Sequence, residues 1–315
     1  MSRPAPRDRV RSDPSGAGLP RGPRGPRRSR ALRRVLSAAA AVLAMAFLAP
    51  PAASALALPT PKAFTSYVDL ECFATDAYAP PAVGLTLRHL NPVLGDLPAH
   101  QVTLGAREQL CVPVAKNQVI PPDGVAEFVK YVDLSCYRVT GAPVNKPLVL
   151  SHLNPVLQDL PRESVTLGAP QQLCVPVAKN GLVPPDEVLT LVSHIDLECY
   201  AVTPNTLMNR KLALTQLNPV LIDKIPTVSV QVTNARRLCV PVHKAGDTIP
   251  SEVAQLVRWL DLDMFDVVAP AITPVPLTLK HLNPVLSGLP AEKATLTAAR
   301  QLGVPVAKNG QFPPG

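Results

Sequence analysis

The pentapeptide Leu90-Asn91-Pro92-Val93-Leu94 occurs four times in the chain, returning at Leu153–Leu157, Leu217–Leu221 and Leu282–Leu286. Its asparagines, Asn91, Asn154, Asn218 and Asn283, are separated by 63, 64 and 65 residues. Upstream of each copy stands an Asp-Leu pair, at Asp69-Leu70, Asp133-Leu134, Asp196-Leu197 and Asp261-Leu262. Downstream stands Val-Pro-Val-x-Lys, at Val112–Lys116, Val175–Lys179, Val240–Lys244 and Val304–Lys308. Three landmarks at one period define tandem repeats, with units at 64–127, 128–191, 192–256 and 257–315.

Within a unit the reading is all-β. Tyr67–Phe73 alternates, with Val68, Leu70 and Cys72 on one face and Asp69 and Glu71 on the other, as a half-buried strand does. Leu85–Leu90 reads as a second strand that ends at Asn91-Pro92, because proline donates no ladder hydrogen bond. Gln101–Gly105 and Gln109–Ala115 give a third and a fourth, with Pro113 at an edge or bulge. Asn180-Gly181 and Asn309-Gly310 are hairpin-turn signals. Val188, Leu191 and Val192, Val125, Phe128 and Val129, and Val253, Leu256 and Val257 carry helical spacing at the unit junctions, with Asp186 and Ser251 as expected N-caps. The expectation is four tandem β-sandwich or barrel-like repeats of about 64 residues joined by short linker helices.

The cysteines fall two to a unit in the first three copies: Cys72 and Cys111, Cys136 and Cys174, Cys199 and Cys239. The fourth copy has Met264 and Gly303 at those places, so both partners are lost together. That is the trace of bonded pairs, and it predicts the disulfides Cys72–Cys111, Cys136–Cys174 and Cys199–Cys239. Each would close a loop of about 39 residues, worth about 4 kcal/mol in the loop-entropy model. Zinc is disfavoured, since there is no C-x-x-C and no histidine cluster in sequence.

Disulfides imply an oxidising compartment, and the N-terminus reads as the route to it. The chain of 315 residues has a formal charge of +8. Residues 1–34 hold eleven Arg against two Asp, so the remainder carries about −1. A near-neutral body lacks the field that nucleic-acid binding needs. Val35–Leu48 is apolar over about 21 Å as a helix, short of a ~30 Å hydrocarbon core. Pro50-Pro51 and then Ala53-Ser54-Ala55 or Ala55-Leu56-Ala57 follow. The expectation is a signal peptide over 1–57, cleaved near 55 or 57, leaving a secreted or cell-surface chain with no membrane anchor.

The candidate chemistry is sparse. His89, His152 and His281 precede the pentapeptide, but Gln216 replaces them in the third copy. Gln keeps hydrogen bonding and loses titration, which favours a structural role. Asp69 with Glu71, Asp196 with Glu198, and Asp261 with Asp263 put two carboxylates on one strand face, whereas the second copy has Asp133 with Ser135. Calcium takes roughly six to eight oxygens, so a solvated strand face is the expectation. Lys116, Lys179, Lys244 and Lys308, like the pentapeptide asparagines, occur in every copy and are read as serving the shared fold. Trp259, His243, Met208 and Arg210 are peculiar to single copies and form no constellation. No nucleophile, metal or phosphate-loop motif is present in the sequence.

The order Asp-Leu-x-Cys-[Phe/Tyr] followed by Leu-Cys-Val-Pro-Val-Ala-Lys-Asn resembles an uncharacterised family of exported bacterial repeat domains of unknown function. The matching residues are Cys72-Phe73, Cys136-Tyr137 and Cys199-Tyr200, with Leu110–Asn117 and Leu173–Asn180. Ala245 departs from the pattern, as does the loss of both cysteines in the fourth copy. The resemblance spans about 64–312 and implies export and a disulfide-stapled β unit; it implies no catalytic residue. The functional expectation is a non-enzymatic, multivalent binding or structural module for an unknown extracellular or cell-envelope ligand, without cofactor. The variable loops Ala77–Gly84, Gly141–Lys146, Pro204–Lys211 and Ala269–Pro276 are its expected contact surface. The alternative is an extracellular hydrolase whose site forms between repeats.

Overall fold

A computed structural model describes residues 56–315. All but the last two positions of the expected signal peptide lie outside these residues. The described chain is mostly β, and no helix in it is long and apolar enough to cross a membrane. The first repeat gives β1 (Leu70–Tyr78), β2 (Gly84–His89), β3 (His100–Thr103) and β4 (Arg107–Lys116). The second gives β5 (Leu134–Arg138), β6 (Lys146–His152) and β7 (Glu163–Lys179), and the third β8 (Leu197–Thr203), β9 (Leu207–Gln216) and β10 (Val228–Lys244). The fourth gives β11 (Leu262–Val268), β12 (Val275–His281) and β13 (Glu292–Lys308). Before the first strand of each repeat lies a short helix: α1 (Pro61–Thr65), α2 (Asp123–Val129), α3 (Asp186–Val192) and α4 (Ser251–Val257).

The repeats do not close separate sandwiches. β1, β4, β5, β7, β8, β10, β11 and β13 pair antiparallel in that order, and β13 pairs back onto β1. This is a closed eight-stranded barrel to which each repeat contributes two strands, and closure removes the exposed edge. The second strand of each repeat swings outward to pair with the repeat opposite. β2 pairs with β10 and β9 with β4; β6 pairs with β13 and β12 with β7.

Proline marks where the partner changes. Pro113 faces Leu70 within the barrel, and from Val114 onward β4 pairs with β9. The Pro113 carbonyl accepts from Leu217 of the opposite repeat; Pro176, Pro241 and Pro305 accept from Leu282, Leu90 and Leu153 in the same way. The anticipated edge or bulge is thus a crossing point inside a continuous strand.

The barrel interior is layered. Phe64, Phe128, Val129, Leu191, Val192, Leu256 and Val257 from the four helices seal one end against Leu70, Leu134, Leu197 and Leu262. Next comes a sulfur belt of the disulfides Cys72–Cys111, Cys136–Cys174 and Cys199–Cys239. Neighbouring bridges touch, with 3.7 Å between Cys111 and Cys136 and between Cys174 and Cys199. In the fourth repeat Met264 fills the belt; a Cβ on Gly303 would stand 2.7 Å from its sulfur. Gln109, Gln172, Arg237 and Gln301, each two residues before the belt position, form a polar ring at the far end.

Pro185 and Pro250, rather than Asp186 and Ser251, occupy the N-cap positions of α3 and α4, without a side-chain cap bond. The expected caps are first-turn residues, where an acidic side chain such as Asp186 meets the positive helix end. α1, which the sequence reading omitted, has Thr60 as its cap. Asn180-Gly181 and Asn309-Gly310 have positive φ at both positions, as a type I′ turn requires.

The invariant residues lock the ring. Lys116, Lys179, Lys244 and Lys308 form buried ion pairs with Asp69, Asp133, Asp196 and Asp261 of their own repeats. Burial pushes each carboxyl up and each ammonium down, while the attraction within the pair opposes both. Each carboxylate also accepts from the asparagine of another repeat. Asn154 donates to Asp69 at 2.5 Å, Asn218 to Asp133 at 2.7 Å and Asn283 to Asp196 at 2.8 Å. Asn91 of the first repeat donates to Asp261 of the last at 2.8 Å, completing the circle. Beside that seam the Lys62 amide donates to the Pro314 carbonyl at 2.9 Å.

Candidate functional site

The paired carboxylates are not a solvated face. Asp69, Glu71, Asp196, Glu198, Asp261 and Asp263 are all buried. They lie outside the barrel wall, with Glu71, Glu198 and Asp263 beneath the hairpin of the opposite repeat and Asp69, Asp196 and Asp261 against the asparagine of an adjacent one, so both faces of these strands are covered. The covering creates four quasi-equivalent polar sites. Each combines a strand residue (Glu71, Ser135, Glu198 or Asp263) with the aromatic residue two positions on (Phe73, Tyr137, Tyr200 or Phe265). Over them lie the histidine-position residue of the opposite repeat and the residue eleven further along.

At Tyr200 the hairpin comes from the first repeat and brings His89 and His100. The Tyr200 hydroxyl donates to Glu198 Oε2 at 2.5 Å, and His100 Nε2 donates to Glu198 Oε1 at 2.9 Å. His89 Nε2 lies 2.9 Å from the Tyr200 hydroxyl, which leaves Nδ1 buried without a partner. Burial holds His89 down to about 4, so it is neutral at pH 7. The hydrogen bond to Glu198, aided by its charge and by the Pro98 carbonyl, raises His100 and favours its imidazolium. The two imidazole rings stack with centroids 5.8 Å apart.

At Tyr137 the hairpin comes from the fourth repeat and brings His281 and Glu292. The Tyr137 hydroxyl donates to Glu292 at 2.7 Å, and His281 Nε2 lies 3.1 Å from the same carboxylate. The balancing cation is Arg107 from the adjacent strand. Its Nη1 donates to Glu292 at 2.9 Å and its Nη2 to the Lys293 carbonyl at 2.9 Å, while the guanidinium lies 5.1 Å from the centre of the Tyr78 ring.

The other two sites lack a phenol. At Phe73, Gln216 donates to Glu71 at 2.7 Å, yet burial still pushes Glu71 up to about 7. At Phe265, Asp263 has no hydrogen-bond partner on either oxygen. Burial and the nearby Glu163 push its carboxyl well up, which favours the neutral acid.

One difference opens a cleft. Arg107 stands opposite Tyr137 in the ladder, and Pro170 stands opposite Tyr200. Tyr78 lies six residues after Cys72, and Ala142 six residues after Cys136. Two large side chains are therefore replaced by two small ones. A cleft of about 360 Å³ remains, walled by Leu97, Pro98, Ala142, Pro143, Val144 and Pro170, with His89, His100 and Tyr200 at its base. Of the loops expected to make contacts, Gly141–Lys146 reaches this cleft.

Sequence reasoning found His89 and Glu198 but missed His100, Tyr200 as a partner, Arg107 and Pro170. The signal was the column eleven residues after each histidine position: His100, Glu163, Thr227 and Glu292 differ where the scaffold is constant. Trp259, His243, Met208 and Arg210 take no part in this cleft. Among the described residues no group of three or more His, Cys, Asp or Glu is arranged to hold a metal ion. Comparison of the chain with family models, curated proteins and solved structures gives no match.

Proposed function

We propose that the chain is an exported, non-enzymatic binding protein of the extracellular space or cell surface, and that its ligand enters the Tyr200 cleft. Three disulfides agree with an oxidising compartment. The observation that carries the binding reading is the contrast between the open cleft at Pro170 and the same volume filled by Arg107 and Tyr78. Concave sites walled by apolar side chains with a few polar groups at the base are where small ligands bind.

The chemistry at the base favours binding over hydrolysis. Glu198 is enclosed between His100 and Tyr200, so no free carboxylate stands ready as a general base. The four sites differ in their polar residues, which favours one specific site over four equal ones. The multivalent form of the reading therefore rests on the sequence period alone.

The test is ligand-observed NMR of a fragment library against the mature chain and against Pro170→Arg. Fragments that bind the first and not the second support the reading; an absence of hits, or hits indifferent to the substitution, overturns it. Turnover of an ester or glycoside by the wild type, lost in His100→Asn, would establish the hydrolase alternative instead.

A further inference from the structure

We infer that the Tyr200 cleft selects an uncharged aromatic molecule of one or two rings, held between its proline walls and the face of His100. This rests on the binding reading above and specifies the ligand class. The first support is the quasi-equivalent site, where the corresponding volume holds the phenol ring of Tyr78 over the Arg107 guanidinium at 5.1 Å. The fold thus already packs an aromatic ring against a cation at this position. In the open cleft both are missing, because Ala142 replaces Tyr78 and Pro170 replaces Arg107, and the cation that remains is His100, at the position of Glu292.

The second support is that the accessible polar groups at the base have already spent their hydrogen bonds, while the unpartnered His89 Nδ1 is itself out of reach of solvent. Tyr200 donates to Glu198, and His100 Nε2 is engaged by the same carboxylate. A ligand that must be hydrogen-bonded would have to break these contacts. A ligand with a π face need not, because it can meet the imidazolium itself, whose side chain is 29% accessible. A charged ligand gains little, since His100 and Glu198 already neutralise each other. The titratable groups facing His100 are Glu198 and Tyr200 from β8 and His89 from β2. The exposed Lys146–Asp96 pair flanks the wall residues Val144 and Leu97 in sequence.

The test compares 2-naphthol with decahydro-2-naphthol, its saturated counterpart, by titration calorimetry on the mature chain. The aromatic compound is expected to bind about twofold to thirtyfold more tightly at pH 5.5–6, the span of a single cation–π contact from exposed to desolvated. This preference should collapse in His100→Gln and as pH rises through the His100 titration followed by NMR. Pro170→Arg should abolish binding of both compounds. Equal affinity for the two compounds in the wild type overturns the aromatic inference and leaves the cleft reading standing. Binding of neither overturns both, and binding of 2-naphthol that survives both substitutions places it elsewhere and overturns the inference.

Discussion

The Tyr137 and Tyr200 sites are built from corresponding positions of the same repeat, yet one is filled and the other open. Each has a phenol donating to a buried carboxylate, a histidine from the opposite hairpin, and one cation. The carboxylate is Glu292 on the hairpin in the first and Glu198 on the barrel strand in the second. The cation moves the other way, from Arg107 on the strand to His100 on the hairpin. Exchanging the two charges keeps each site balanced and withdraws the long side chain from the second. Space for a ligand appears without leaving a buried charge unpaired, which would be costly.

Breaking the filled site should have the largest effect. Arg107→Ala strands Glu292 in a buried position, and a loss of about 3–5 kcal/mol is expected in chemical denaturation; Glu292→Gln added to it should restore part of that loss. A smaller and matched effect is expected from Tyr137→Phe and Tyr200→Phe. Each removes a hydrogen bond to a buried carboxylate, at about 1.5–3 kcal/mol, and markedly unequal losses would show that the two phenols are not equivalent.

The pH response should separate the sites further. His89 is held down to about 4 from its usual 6.5, so its share of stability is complete above 6.5 and falls as pH drops toward 4. His100 is raised, so its share is complete below the usual value of 6.5 and is lost as pH rises through its folded value. NMR titration of the two rings should show shifts of opposite sign, and shifts of one sign would contradict the assigned roles. The least effect is expected at Arg138→Ala, which removes a solvent-exposed ion pair with Glu108 worth below about 1 kcal/mol.

Much of the scaffold was legible because repetition supplies internal controls. Joint replacement of two cysteines by Met264 and Gly303 pointed to bonded partners, and residues present in every copy pointed to shared structure. The strand exchange between opposite repeats was not legible. Alternation reports which face of a strand is apolar and does not report which strand lies beside it. The error over the acidic pairs has the same source. Asp69 and Glu71 do face away from the apolar side, but Gln216 on a hairpin two repeats away covers Glu71 and Asn154 of the next repeat meets Asp69. The cleft was hidden for a further reason: it is defined by what Pro170 and Ala142 lack, and small side chains leave no motif.

The Lys62–Pro314 hydrogen bond brings residues at the two margins of the described chain side by side, where Asn91 and Asp261 join the first repeat to the last. The ring therefore fixes the cyclic order of the repeats but not which of them is synthesised first. A circularly permuted gene that bridges this seam with a short linker and begins at Leu182 should specify the same barrel, with the Tyr200 cleft assembled from segments that have exchanged places along the chain.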